Sequence, residues 1–411
     1  MPHESERGGT GSRKKPPAVA VLPTDARLRR ISKSRAALIA WVVLAPRISC
    51  GSENPGPELS RLKSHVEILA SREYGGRSGE VAEKSRLYLV EAFRRLGLAP
   101  LFAGSFYQDI PDREPGPPIG RNVGAMIPGS DPKLRDEWVI VAAHFDHLGI
   151  RRGVLYPGAD DNASAVAMML EVARSLAESA VRPRRSVMIV GYDLEERGLV
   201  GSRYFAEHSP IPLDQVSLFV TADMIGRSLG GVCPRHVFVM GTERTAPSRE
   251  WVLRAAEGQP LSVAMIGADL LLIDRSDYGP FRARKIPFLF FSTGENPCYH
   301  TPADVPETLD YGKLEAISRL IHRVVRRAIE ADARPTWLDR PDNGIDEARA
   351  LLDVFSILSR HRDDLKIGST PRFLMDRAIA MLKVVVERGS ITQSERAALI
   401  RLAQVVMAAV F

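Results

Sequence analysis

The stretch SVMIVGYDLEERG (186–198) joins an apolar, strand-like run to three carboxylates within four positions, Asp193, Glu195 and Glu196. A short continuous apolar run bounded by polar residues reads as a strand buried on both faces, as in a parallel sheet. Carboxylates at the end of such a strand are costly unless something there holds them. A helix starting at this point gives them one use, at its positive end. The rest of the sequence decides whether they have another.

Outward from this stretch, strand-like and helical segments alternate. EWVIVAA (137–143) reads as a buried strand, ASAVAMMLEVARSLAES (163–179) as a helix, RSVMIVGY (185–192) as a strand and LVGSRYFAEH (199–208) as a helix. VSLFVTA (216–222), HVFVMG (236–241) and IPFLFFST (286–293) read as strands, and residues 311–331 as a long amphipathic helix. Nearer the start, Val81, Leu87, Val90, Phe93 and Leu96 recur at helical spacing up to Gly97. This alternation predicts an α/β fold, a mainly parallel central sheet with helices on both faces. Residues 336–411 differ: two helical patterns (345–361 and 372–389) precede a capping box, TQSE (392–395), that opens a third. The predicted organisation is a basic tail over 1–57, one α/β domain over 58–335 and a small helical appendage over 336–411.

The 411 residues are 45% hydrophobic and 26% charged, an ordinary globular composition. The formal charge of +6 sits in residues 1–36, which hold nine Lys/Arg and three Asp/Glu (9 − 3 = +6); the remainder balances at 47 against 47. The charge therefore describes a tail, not a nucleic-acid-binding face. AALIAWVVLA (36–45) follows the tail and is too short to span a bilayer, which takes about 20 residues. Charge followed by a short apolar core predicts an export signal, with a disordered basic arm as the alternative. RISC, ending at Cys50, is similar to a lipoprotein signal except that Arg47 stands where an aliphatic residue is expected. The expected location is periplasmic, extracellular or lipid-anchored, the last with membrane attachment through the N-terminal segment. Three cysteines, Cys50, Cys233 and Cys298, are too few for a disulfide framework.

Acids and histidines gather just after the strands: HFDH (144–147), PGADDNASA (157–165), DLEERG (193–198), DMIGR (223–227) and ENPCYHTPAD (295–304). Ligands of open α/β sheets bind outside the carboxyl ends of the strands. Each piece alone has a plain reading. His144 suits a hydrogen-bonded loop, Asp160 and Asp161 a helix cap, Glu195 and Glu196 a helix start, and Asp223 a turn. Together at one sheet edge they would repel unless a cation neutralised them. Two imidazoles with three or more carboxylates suit zinc, and one carboxylate can bridge two ions that together activate a hydrolytic water.

The ordered segments HFDHLG, PGADDNASA, DLEERGLVGS, ADMIGR and YHTPAD resemble the co-catalytic zinc aminopeptidase family. That family includes bacterial leucyl aminopeptidases and aminopeptidase Y, with glutamate carboxypeptidase and glutaminyl cyclase as relatives. The resemblance covers about 60–330, including YGGRSGE (74–80) and RNVGAMIPG (121–129). It implies a zinc-peptidase fold with two zinc ions bridged by Asp161. His144 and Asp223 would complete one metal's protein ligands, and Glu196 and His300 the other's. Asp146 would orient and polarise His144, and Glu195 would be the general base. Adjacent residues of an extended chain point in opposing directions, which lets Glu196 hold a metal while Glu195 faces the water. Asp193 has no implied role beyond structure, and Asp160 is expected to serve a turn or cap. Many relatives carry Ser-Asp-His where this chain has SDY (276–278), so Tyr278 is expected to alter the pocket wall. His147, His208, His236, His322 and His361 match no ligand position and are expected at the surface or in packing.

The implied function is a di-zinc exopeptidase that removes N-terminal residues from peptides, with metal-activated hydroxide as nucleophile. One alternative is a related zinc hydrolase, such as a carboxypeptidase, for which RSLGG (227–231) and FRARK (281–285) offer arginines to hold a terminal carboxylate. Glutaminyl cyclases use one zinc, whereas all five ligand positions are kept here. The other alternative is a non-catalytic receptor-like module; such relatives lose ligands, and none is lost here.

Overall fold

The computed structural model describes residues 56–112, 116–342 and 344–410; the basic tail, its apolar run and Cys50 lie outside them. Among the described residues nine strands form the main sheet: β1 (Ala99–Pro100), β2 (Tyr107–Ile110), β3 (Gly120–Ile127), β4 (Trp138–His144), β5 (Ser186–Tyr192), β6 (Val216–Ala222), β7 (His236–Met240), β8 (Ser262–Met265) and β9 (Phe288–Ser292). Their order is β1-β3-β5-β4-β6-β9-β7-β8, with β2 also paired to β3. The centre, β5-β4-β6-β9, is parallel, with Val141 opposite both Ile189 and Val220. The flanks reverse direction, β3 running antiparallel to β5 and β7 antiparallel to β9.

Side-chain alternation along each central strand feeds two separate cores. Val139, Val141 and Ala143 of β4 join one hydrophobic cluster, and Ile140 and Ala142 the other. The first cluster is roofed by α1 (Leu59–Leu69), α2 (Ala82–Arg95), α3 (Ala165–Ala177), α5 (Ser248–Ala256) and α7 (Tyr311–Glu330). The second is roofed by α4 (Val200–Glu207), α6 (Gly279–Ala283), α8 (Gly344–Arg360), α9 (Ser369–Arg388) and α10 (Gln393–Val410). The α/β fold with helices on both faces of a central sheet is thus present, and the sheet is parallel at its centre and mixed as a whole, with antiparallel pairings at its flanks.

The region 60–97 departs from its predicted helical face. Two helices separated by a turn occupy it; in the second, Val90 and Phe93 are buried as expected, but Leu87 is 54% exposed and Leu89 is buried in its stead. Helix α1 ends at Leu69, and Gly75 and Gly76, both at positive φ, carry the chain through the turn that follows. Strands β3 and β8 gave no strand signal of their own. In β3 the apolar pattern is broken by Asn122 and Gly124, and a Cβ at Gly124 would stand 2.7 Å from Leu101.

Helices α8–α10 share their cluster with the sheet: Leu351, Phe355, Leu358, Met375, Leu382 and Leu399 are buried in the same core as Ile266 and Phe290. The capping box is formed, Thr392 N donating to Glu395 Oε2 at 2.9 Å and Glu395 N to Thr392 Oγ1 at 3.2 Å. Among the described residues no helix is long and apolar enough to cross a membrane.

Because α8 belongs to this core, Leu358→Ala, at a fully buried site, should cost about 2–5 kcal/mol. Urea unfolding should show the whole loss in one cooperative transition. A separate early transition confined to the helices would contradict the shared core.

Candidate metal centre

The carboxyl ends of the parallel strands deliver the acid and imidazole groups to one edge. His144 is the last residue of β4, Glu195 and Glu196 follow β5, Asp223 directly follows β6, and His300 lies in the loop beyond β9. Asp161 comes from an irregular turn (Ala159–Ser164) that leads into α3, where its φ of −106° and ψ of 93° are not helical. Leu194, Met224 and His300 adopt positive φ values of 58°, 56° and 54°. Non-glycine residues hold that conformation only where their surroundings impose it, and such sites cluster where function needs a side chain aimed.

Two groups of ligand-type atoms share Asp161. On one side, His144 Nε2 is 3.5 Å from Asp161 Oδ1 and 3.5 Å from Asp223 Oδ1. On the other, His300 Nε2 is 3.1 Å from both Asp161 Oδ2 and Glu196 Oε2. Atoms about 2.0–2.2 Å from a tetrahedral zinc stand roughly 3.3–3.6 Å apart, so the 3.5 Å spacings of the first group suit such an ion directly, while the 3.1 Å spacings of the second are hydrogen-bond lengths a few tenths of an ångström shorter. His147 enters the second group, its Nδ1 lying 2.8 Å from Glu196 Oε1 and 3.7 Å from Asp161 Oδ2.

On their own these groups cannot all be charged. Burial raises the Asp161 carboxyl above its usual range, and the charge of Glu196 adds to the rise. Burial also pushes Glu195 well up; His144 offsets this in part, while Asp223, Asp277 and Asp146 reinforce it. Burial would lower His144 and His300, yet the carboxylates outweigh it, and His300 is carried to about 10. Burial opposes the charge of Glu196 as well, but His147 and His300 hold it below the usual range. His144 Nε2, His147 Nε2 and Asp223 Oδ1 are buried without a hydrogen-bond partner among the described residues. Unpaired buried polar atoms are costly, and imidazole nitrogen with carboxylate oxygen is a donor set suited to zinc. The residues fit that metal.

Residues 122–325 match the profile of Peptidase family M28. This chain carries a peptidase family M28 domain. Aminopeptidase YwaD of Bacillus subtilis (strain 168) is 28% identical over 212 residues, 49% of this chain and 43% of YwaD. The chain thus spans less than half the length of that curated relative. Among solved structures, the LapA aminopeptidase of Legionella pneumophila matches with a TM-score of 0.53 at 22% identity, over 67% of this chain and 73% of LapA. Porphyromonas gingivalis glutaminyl cyclase matches with a TM-score of 0.52 at 19% identity, over 66% and 99%. These two likenesses describe the M28 fold and do not choose between reactions.

Residues around the M28 site explain how it is held. Arg77, fully buried, spends its guanidinium on five carbonyls: Phe145 (2.7 Å), Leu69 (3.0 Å), Pro157 (2.6 Å), Gly158 (2.7 Å) and Asp161 (3.1 Å). Gly158 has φ 63°, and a Cβ there would lie 2.2 Å from the Asp161 carbonyl oxygen, so only glycine fits. Asp160 is buried and accepts from Gly226 N at 2.6 Å, which ties the Asp161 turn to the Asp223 loop. Asp193 accepts from Arg86 (2.7 Å) and from the backbone of Arg121 (2.8 Å). The Asp146 carboxylate stands 3.7 Å from His144 Nδ1, beyond hydrogen-bond length. Its firmer bonds are from the backbone N–H groups of Glu195 (3.0 Å) and Glu196 (3.3 Å), so it fixes the glutamate turn.

Three expectations change. His147 is not a surface or bulk-packing residue; it hydrogen-bonds Glu196 inside the cluster, and its place three residues after His144 at the same strand end was the overlooked signal. Tyr278 does not line the pocket: it is fully buried and stacks on Phe288 and Phe290, with centroids 5.3 and 4.7 Å away. Its neighbour Asp277 was missed; it is buried behind the site, neither oxygen forms a hydrogen bond of normal geometry among the described residues, and burial carries it to about 7. Of the arginines offered for a substrate carboxylate, Arg227 is buried against Asp304 and Thr308, and Arg282 pairs with Asp274 at 2.8 Å.

Replacing Arg77 with Met leaves five carbonyls without their donor and should cost at least about 3 kcal/mol. The same variant should bind zinc more weakly, because the Asp161 turn loses its anchor; a urea titration and a zinc titration on one preparation check both. A second expectation concerns the chelator-treated protein. Asp160 and Asp277 are raised to about 7, so the fold binds their protons more tightly than the unfolded chain does. Their stabilisation is present at low pH and is lost as pH rises from about 4 to about 7. His300, at about 10, acts with the same sign, its stabilisation fully present below about pH 6.5 and lost as pH rises through about 10. His65 and His322, held at about 4 by burial, act in the opposite sense up to about pH 6.5. The melting temperature of the stripped protein should therefore fall from about pH 6.5 to about pH 8, and zinc at the upper end should restore it. A rise over that window without metal would contradict the placement of these acids.

Proposed function

We propose that this chain is a zinc-dependent aminopeptidase with two zinc ions, one held by His144, Asp161 and Asp223 and the other by Asp161, Glu196 and His300. The observation that carries the reading is the division of Asp161, whose two oxygens face different imidazole and carboxylate groups. Bound zinc supplies Lewis acidity, polarising a peptide carbonyl and making water a better nucleophile at neutral pH. His147 holds the second oxygen of Glu196 and so fixes how that carboxylate is aimed. Glu195 differs from its neighbour: its backbone is pinned by Asp146, but its carboxylate accepts no hydrogen bond among the described residues while lying within electrostatic reach of His144 and Asp223. An uncommitted, proton-seeking carboxylate beside the metal groups suits a general base. Glu195 takes the proton of the attacking water and returns it to the nitrogen of the leaving amine. Peptides are the substrates, and the engagement of Arg227 and Arg282 elsewhere favours recognition of a free amine over a terminal carboxylate. The basic tail and the apolar run 36–45 add the proposal that the enzyme is exported.

The two adjacent glutamates should fail differently. Glu195→Gln keeps shape and polarity but cannot accept a proton. It should retain near-normal zinc content and thermal stability while kcat falls by at least about a hundredfold. Glu196→Gln should lose zinc from one site and with it stability. Zinc content, melting temperature and steady-state kinetics with aminoacyl p-nitroanilides decide the assignment. Full activity in Glu195→Gln removes it from the mechanism, and zinc loss in that variant exchanges the two roles.

A further inference from the structure

A cavity of about 450 Å³ opens beside the metal centre, and two residues join them. Asp223 lines the cavity and faces His144 Nε2 at 3.5 Å. Tyr299 lines it and stacks on His300 with centroids 3.9 Å apart. Phe238, Met240 and Phe290 of the sheet line it, and α8 and α10 add Leu351, Val354, Phe355 and Met407 to its wall. Both helices lie outside the matched family segment, 122–325. They are fixed in place there: Arg396 of α10 bonds Glu347 of α8 at 2.6 Å and Asp269 at 2.7 Å, and Gln404 bonds the Asp269 carbonyl at 3.1 Å.

We infer that α8 and α10 are the selective wall of a substrate pocket, and that this pocket takes an extended apolar group on the residue next to the scissile bond. The inference rests on the peptidase reading above for what binds and where it is cut. Its volume falls in the range of roughly 300–1,000 Å³ that takes a drug-sized molecule, more than a small side chain fills. Leu272 and Ile273, 74% and 69% exposed, stand at its lining and present adjoining apolar surface to solvent, a feature that marks a binding face. The polar lining is sparse and partly self-satisfied, since Arg275 pairs with Glu295. A pocket of this kind binds through apolar area, so each added methylene of a linear chain should strengthen binding until the wall formed by α8 and α10 is reached.

The test uses the full zinc-loaded chain and two readouts. The first is kcat/KM on alanyl, leucyl and 2-aminodecanoyl p-nitroanilides, expected to rise by at least about a hundredfold from the first to the last. The second is calorimetric binding of n-butylamine and n-octylamine, expected to be at least about tenfold tighter for the longer amine. Met407→Trp, which fills the cavity from α10, should lower the aminodecanoyl-to-alanyl ratio by at least about tenfold and weaken octylamine binding; Met407→Phe replaces it if the larger variant does not fold. Chain-length-dependent amine binding without hydrolysis of any substrate would sink the peptidase reading and leave the pocket standing. Hydrolysis with equal alanyl and aminodecanoyl rates, or a ratio and amine affinity untouched by the Met407 variants, would overturn the pocket.

Discussion

The Arg77 guanidinium is the constraint on which the site depends. A buried charge is tolerated only when its donors are satisfied, and here all five go to carbonyls on three separate segments. Those segments are the end of α1, the turn after β4 and the irregular turn carrying Asp161. The Leu69 carbonyl ends α1, where no further turn of the helix takes it up, and the other four carbonyls lie outside the regular helices and strands. The guanidinium supplies what a strand or helix would otherwise supply, a set of directed bonds in a rigid plane. It carries a positive charge close to Asp161, Asp146 and Glu196, which also relieves part of the acid repulsion.

The acid cluster then works by unequal commitment. Glu196 is held by imidazoles on both of its oxygens, whereas the Glu195 carboxylate has no donor among the described residues. Asp161 divides its oxygens, Asp160 ties loops together, and Asp193 is neutralised by Arg86. Carboxylates close in sequence thus do different work because their surroundings differ, and the surroundings come from distant segments.

This explains which parts were legible in the sequence. The central strands announce themselves by apolar runs, and the residue types after each strand mark the edge where chemistry collects. His144, Asp161, Glu195, Glu196, Asp223 and His300 could be singled out from those segments because their order and sequence resemble the zinc aminopeptidases. Arg77 could not, because its partners are backbone carbonyls and carry no side-chain signature. His147 was masked by His144 three residues earlier, and Asp277 by lying in a loop that no strand end marks. Strand β3 was obscured by Asn122 and Gly124, whose reasons are an amide partnered to the Gly201 carbonyl and a close approach of Leu101. The helices over 344–410 were visible as helices, but only the tertiary fold reveals that they close the second core and stand over a cavity beside the metal centre.

The adjacency of Glu195 and Glu196 has a consequence for how this chain can vary. Asp193 is pinned by Arg86 and by the backbone of Arg121, and its own N–H bonds Asn122, so the chain leaves β5 at a fixed point. From there Leu194, held at positive φ, leads directly into the two glutamates. Inserting or deleting a single residue between Asp193 and Glu195 would present one glutamate where the other belongs. Substitutions can accumulate along this segment, but its length cannot drift.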